Sequence, residues 1–150
     1  MSKEQEIHKL LNQMYTVELV LRSLRGQPKT YCGVTLYDNE SHTLEAIAEN
    51  PGISQAQLSR QMCRTKGATS VMVDKLMEKG LIHRQRENED RRRCVLTLTA
   101  LGQQVNQAHV AFDSAHAAKV SAALELDEED LRRANQVIAQ LIDFHREYSK

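Results

Sequence analysis

Apolar residues recur at steps of three and four through Ile7, Leu10, Leu11, Met14, Val17, Leu21 and Leu24, which predicts an amphipathic helix over roughly 4–24. Gly26-Gln27-Pro28 stops it, and residues 29–37 read as a loop or irregular segment. Asp38 is the predicted N-cap of a second helix, with Leu44, Ile47 and Ala48 on one face, ended by Asn50-Pro51-Gly52. Ser54 caps a short third helix whose inner residues are Leu58 and Met62. A tight turn, 64–67, leads to Thr65 as the next N-cap, and a fourth helix runs to Lys79 with Gly80 as its stop. The inner face of that fourth helix is Thr69, Met72, Val73 and Leu76. Two short strands, 82–86 and 94–98, flank a charged turn. Thr99 caps a fifth helix reaching about Leu124, and an acidic first turn at 127–130 opens a sixth that carries Leu131, Ala134, Val137, Ile138, Leu141, His145 and Tyr148.

The pattern predicts a mainly α protein with a small β-hairpin wing (α+β): a winged helix-turn-helix core between N- and C-terminal dimerisation helices. The expected organisation is 1–34 as a dimerisation helix and loop, 35–98 as the core, and 99–150 as dimerisation helices. The terminal helices carry apolar faces with no evident partner in the middle unit, so a homodimer is expected. A helix-turn-helix also needs two copies to read two half-sites one helical turn apart.

Composition narrows the function. Tryptophan is absent and aromatics make up 4% of the 150 residues, which argues against a large aromatic-lined substrate cavity. No apolar run approaches the ~18 residues of a membrane span, and the polar start, 1–6, is unlike a signal peptide. A cytoplasmic protein without a membrane partner is expected. Cys32, Cys63 and Cys94 are dispersed and odd in number, against both a disulfide framework and a thiolate zinc finger. There is no nucleophile motif, glycine-rich phosphate loop or glycine-flanked serine, so an enzyme is not expected.

The formal net charge is zero, from 20 basic and 20 acidic residues. Residues 60–93 nevertheless hold ten Lys and Arg against five Asp and Glu, a local +5 that leaves −5 elsewhere. A basic middle between acidic flanks suits a surface offered to a polyanion. Within it Asp90 precedes Arg91, Arg92 and Arg93 in the turn between the strands. A guanidinium on a protruding turn can enter a DNA minor groove, where the potential is most negative, and a nearby carboxylate can fix its direction.

These segments resemble the MarR family of bacterial transcription regulators. The resemblance rests on residues 50–58 (NPGISQAQL), 65–70 (TKGATS), 74–82 (DKLMEKGLI) and the wing block 90–102 (DRRRCVLTLTALG). Thr69 stands where the family usually has an aliphatic residue. The resemblance implies a dimeric DNA-binding regulator, in the main a repressor modulated by a ligand. It implies that the fourth helix lays Lys66, Gly67, Ala68, Ser70, Val71 and Lys75 in the major groove. Ser70 can bond a base edge, and Ala68 or Val71 can touch a thymine methyl. Lys66 and Lys75 suit phosphates. Arg92 matches the wing arginine and Asp90 its orienter. Arg84, with Arg86, Arg91 and Arg93, is a phosphate partner or a solubilising charge. Two alternatives stay open: a winged-helix module for protein contacts, and a thiol-based redox regulator acting through Cys32.

A second constellation lies on the fifth helix. His109, Phe112 and His116 are in line with Val105 and Val120, and Asp113 is one turn from His109. A buried imidazole needs a hydrogen-bond partner or a metal. His42 lies opposite the Leu44/Ile47 stripe of the second helix, with Glu40 and Cys32 before it. This is similar in part to the zinc-responsive branch of the same family. That likeness implies a zinc or other divalent-metal site of His42, His109 and Asp113, with Glu40, Cys32 or His116 as further ligands. Histidines satisfied by Asp, Glu or backbone are the other reading.

Overall fold

The computed structural model describes residues 1–87, Glu89 and 92–148. Asp90 and Arg91 lie outside the described residues, as do Asn88 and the last two residues. The chain divides into two compact units, Met1–Ala111 and Phe112–Lys150.

In the first unit α1 spans Lys3–Leu24 and starts at a capping box in which Ser2 and Gln5 satisfy each other's backbone amides. Residues 29–37, expected to be irregular, form a hairpin: β1 (Lys29–Tyr31) pairs antiparallel with β2 (Val34–Leu36). The turn is Cys32-Gly33, with φ of 51° and 79°. Two successive positive φ values match the twist of a tight hairpin, and a glycine in the second position supplies one of them without strain.

Helix α2 (Asp38–Glu49) begins one residue earlier than expected, with Tyr37 as N-cap. Asp38 does not cap: its carboxylate takes Lys29 Nζ at 2.8 Å and lies 3.5 Å from Arg25. The orphan amide of Tyr37 donates instead to Glu40 Oε2 at 2.8 Å. Helix α3 (Gln55–Gln61) starts at Ser54 as expected, through a capping box with Gln57. Helix α4 (Lys66–Glu78) starts at Thr65, whose hydroxyl accepts from the amide of Ala68, and stops before Gly80 at φ 71°.

The expected strands form as β4 (Ile82–Arg86) and β5 (Cys94–Leu98). A third, two-residue strand was missed: β3 (Ile53–Ser54) pairs with β5, giving the order β3-β5-β4. It is too short to carry an alternation signal, and only its partner reveals it. Leu36, Leu44, Ile47, Leu58, Val73, Leu76, Leu81, Leu96 and Val105 are buried at the centre of this unit. The inner face of α4 is as predicted: Thr69, Met72, Val73 and Leu76 are all buried. Thr69 is tolerated because its hydroxyl donates to the Thr65 carbonyl at 3.0 Å.

Helix α5 (Ala100–Ala123) is entered through Thr99, whose amide donates to the Leu81 carbonyl and whose hydroxyl accepts from Gly102. A Cβ on Gly102 would stand 1.9 Å from the Leu81 carbonyl oxygen, so this close approach requires glycine. The second unit holds the rest of α5 and α6 (Glu128–Tyr148). No residue of α6 is buried, and its apolar residues Val137, Ile138, Ile142, Phe144 and Tyr148 are exposed.

Candidate functional site

Helix α4 buries one side in the core and leaves the other open. Lys66, Gly67, Ala68, Val71 and Lys75 are exposed and Ser70 is half-buried. Val71, 56% exposed, is an apolar side chain in the middle of a solvent-facing polar helix surface. The N-cap and first turn of α4 follow a turn that contains Cys63 at φ 51°. Cys63 is exposed in this left-handed turn. Cys94 is half-buried at the start of β5.

Beside α4 the sheet supplies the basic part of the surface. A cleft of about 720 Å³ is lined by Ser54, Gln55, Ala56, Arg84, Arg86, Arg92, Arg93 and Cys94. It lies between the start of α3 and the wing, and brings four guanidinium groups to one concavity. Strand periodicity accounts for two of them: Arg84 and Arg86 are alternate residues of β4 and share a face. Arg93 meets Glu87 at 3.5 Å across the base of the wing, while the Glu87 amide donates to the Arg93 carbonyl. Arg92 is exposed in the turn next to it. Arg84 is held by Asp74 of α4 at 3.1 Å, an ion pair that joins the wing to the open side of α4. The part played by Gln55 and Ala56 was not visible in the sequence. It depends on β3 seating the start of α3 against β5.

The other constellation lies behind α2. Residues His42 and Glu45, one turn apart on α2, meet His109 of α5. One carboxylate oxygen, Glu45 Oε2, stands 3.4 Å from His42 Nδ1 and 3.3 Å from His109 Nε2. The two imidazoles cross edge to face at 5.1 Å between centroids. The ligand atoms of these three residues lie within 4.8 Å of one another. His109 is 2% exposed, and its Nδ1 faces the Tyr31 hydroxyl at 3.4 Å. Glu45 was missed in the sequence, although its i, i+3 spacing from His42 placed it on the same face.

The remaining candidate ligands sit as follows. Asp113 is one helical turn beyond His109 along α5 and belongs to the second unit, as does His116. Glu40 is turned elsewhere, with both carboxylate oxygens 2.9 Å from Lys79 Nζ. The thiol of Cys32 faces the Gln104 carbonyl at 3.7 Å.

A three-helix core, a helix pair joined by a tight turn and a basic hairpin wing define a winged helix-turn-helix. Residues 36–94 match the profile of the MarR family. A similar curated protein is the transcriptional regulator HosA of Escherichia coli O127:H6, 30% identical over 88 residues, covering 59% of this chain and 65% of that one. The matched segments span 46–65% of the length of the curated relatives. Among solved structures, Streptococcus pneumoniae FabT in complex with DNA aligns at a TM-score of 0.68 with 26% identity, covering 97% of this chain and 99% of that one. The regulator BldR of Sulfolobus solfataricus aligns at 0.76 and 23% identity, covering 93% and 99%, a likeness of fold. The curated relatives bear the names of transcriptional regulators. No helix among the described residues is long and apolar enough to cross a membrane.

Proposed function

We propose that the protein is a cytoplasmic, dimeric transcription regulator that binds duplex DNA in a sequence-specific way and represses by occupying promoters. The observation that carries this is the pairing of an open α4 surface with a four-arginine cleft under the wing. A major groove admits an open helix face such as that of α4, and four guanidinium groups suit the phosphate backbone beside it. Ser70 is the base-edge donor or acceptor, with Ala68 and Val71 against thymine methyls. Lys66 and Lys75 hold phosphates, and Gly67 lets the backbone come close. Arg92 enters the minor groove, with Asp90 as its orienter. With no Arg, Asn or Gln at the centre of the open face of α4, base readout is thin, and groove shape carries more of the specificity. Arg84 and Arg86 line the phosphate track. The relative solved with DNA supports this reading.

The test is binding of the purified protein to a random-sequence duplex pool across a salt series. The expected result is enrichment of a site with two-fold symmetry and an affinity that falls steeply with salt. Salt-independent or absent duplex binding would favour a winged-helix module for protein contacts.

The His42–Glu45–His109 cluster favours a second element of this reading, modulation by a divalent metal such as zinc. The donor set is two imidazoles and a carboxylate, and the separations of 3.3 and 3.4 Å from the shared oxygen match the edge of a zinc tetrahedron with bonds of about 2.0–2.1 Å. With Nε2 of His109 toward the ion, its Nδ1–H is left to donate to Tyr31, the outer bond that orients a ligating imidazole. Asp113, four residues on from His109, is the fourth candidate. Calorimetric titration of chelator-treated protein with zinc should give a sub-micromolar site that is lost in His42→Ala and His109→Ala. Undiminished affinity in both variants would return the histidines to a structural role and leave a small organic ligand as the modulator.

A further inference from the structure

The open face of α4 holds two residues that the fold does not use. Val71 lies in the middle of that face and is 56% exposed, an apolar side chain left in water. Being β-branched, it has one strongly preferred rotamer in a helix, so its methyl groups are held in place. By helical spacing Gly67 and Ala68 stand one turn before it, and Asp74 and Lys75 one turn after it.

Gly67 is the second such residue. Its backbone is helical, and neither a positive φ nor a close neighbour requires glycine there: an added Cβ would meet no neighbouring part of the chain within 4 Å. Glycine inside a helix costs stability relative to alanine. What the missing side chain provides is a low surface beside Val71, over which the helix can come close to a ligand. The charge around this place fits a polyanion. Lys66 and Lys75 are exposed at the two ends of the face. Asp74, the carboxylate one turn from Val71, is turned to Arg84 at 3.1 Å, so its charge is met within the protein.

On the major-groove edge thymine shows an acceptor, O4, and a methyl group on C5, whereas cytosine shows an N4 amino donor and no methyl group. A valine side chain neither donates nor accepts, so it cannot tell O4 from N4. It gains only from the methyl group, by burying apolar surface against it. Ser70, the polar neighbour on this face, can donate or accept through one hydroxyl and so tolerates either edge.

We infer that Val71 is a specificity residue that reads the C5-methyl group of a pyrimidine whichever base carries it, so that the protein accepts 5-methylcytosine in place of thymine. The inference rests on the duplex-binding reading above. Gly67 allows the approach that brings Val71 within reach of the methyl group. A cytosine at that place in the half-site is a poor match until it is methylated, and methylation of the DNA then helps to decide where the protein binds.

The experiment uses the full chain and a duplex enriched from a random pool by the wild-type protein. Each thymine of the half-site is replaced in turn, in both half-sites, by deoxyuridine, by cytosine or by methylated cytosine, the last two opposite guanine. Fluorescence anisotropy gives each Kd. At one position deoxyuridine should bind about fourfold more weakly than thymine per half-site, the effect of about one buried methyl group. Methylated cytosine should bind tighter than plain cytosine by the same factor. Val71→Ala should abolish both differences while keeping the helical circular dichroism of wild type. Ser70→Ala, although it weakens binding, should keep both. Gly67→Ala should raise the midpoint of urea unfolding, as alanine does in a helix, yet weaken binding to all of these duplexes. A selected site on which no methyl group matters, a methyl effect undiminished in Val71→Ala, or full-strength duplex binding by Gly67→Ala would each overturn the inference and leave duplex binding standing. Enrichment of no duplex would overturn both.

Discussion

At the residue scale, position and not residue type decides which of the many charged side chains act on DNA. Arg92 and Ser70 illustrate the difference. Arg92 sits exposed at the wing, so its loss removes electrostatic and groove-shape energy. Arg92→Ala should weaken binding on most duplexes, most where the minor groove is narrow, and competition with A-tract and mixed-sequence duplexes measures this. Wild-type affinity at physiological salt would remove Arg92 from the interface. Ser70→Ala should cost roughly 1 kcal/mol at a single base step and little elsewhere; a scan of single-base variants of the selected site reads it directly. Gly102 shows the opposite case, a residue required by backbone geometry inside this fold. Its Cβ would lie 1.9 Å from the Leu81 carbonyl. Gly102→Ala should therefore destabilise the first unit by about 3 kcal/mol, the upper end for overpacking, seen as a lower midpoint in urea. An unchanged midpoint would mean that α5 enters at another angle.

At the element scale, α4 joins the two kinds of reading. Its exposed lysines, Lys66 and Lys75, stand at the two ends of the open face, where each can neutralise about one phosphate. Lys66→Gln and Lys75→Gln should each reduce the slope of log affinity against log salt by about 1 without changing the selected sequence. An altered sequence preference in either would place that lysine on a base. The elements themselves were legible wherever apolar periodicity and capping residues agreed. Ser54, Thr65 and Gly80 marked the ends of α3 and α4, and the strands of the wing were bounded by their alternation. The misses share one physical origin, dependence on distant partners. The β1–β2 hairpin is only three residues per strand, and β3 only two, so neither carries enough alternation to be seen without its neighbour. Asp38 has the chemistry of a cap, but Lys29 and Arg25 compete for its carboxylate, and Glu40 takes over the amide of Tyr37. The candidate sites follow the same rule. The outer face of α4 could be deduced by subtracting its buried face. Glu45 and the cleft beside Gln55 could not be singled out, because each depends on a segment far away in the chain. For Glu45 that segment is α5, some 64 residues on.

At the scale of the whole molecule, apolar surface remains to be covered. On α1, Tyr15, Val17, Leu19, Val20 and Leu24 are exposed and no residue is buried. On α6, Val137, Ile138, Ile142, Phe144 and Tyr148 are exposed. Exposed apolar side chains in this number along a helix suit burial against a partner. A second copy of the chain is the occupant that also serves the proposed function. Two-fold symmetry then presents two α4 helices to half-sites one helical turn apart, and binding two half-sites together gains affinity that one copy lacks. The half-buried Leu10 of α1 and Leu141 of α6 lie among these exposed side chains, so polar substitutions there remove apolar area without opening the core of the first unit. The double variant Leu10→Asp, Leu141→Asp should sediment as a monomer at micromolar concentration where wild type sediments as a dimer. It should keep the helical circular dichroism of the first unit and bind a single half-site about as well as wild type. Binding to the full symmetric site should fall by a hundredfold or so, the order expected when an intramolecular second contact is lost. A wild-type chain that sediments as a monomer at micromolar concentration would exclude the dimer. The apolar faces of α1 and α6 would then belong to a different partner.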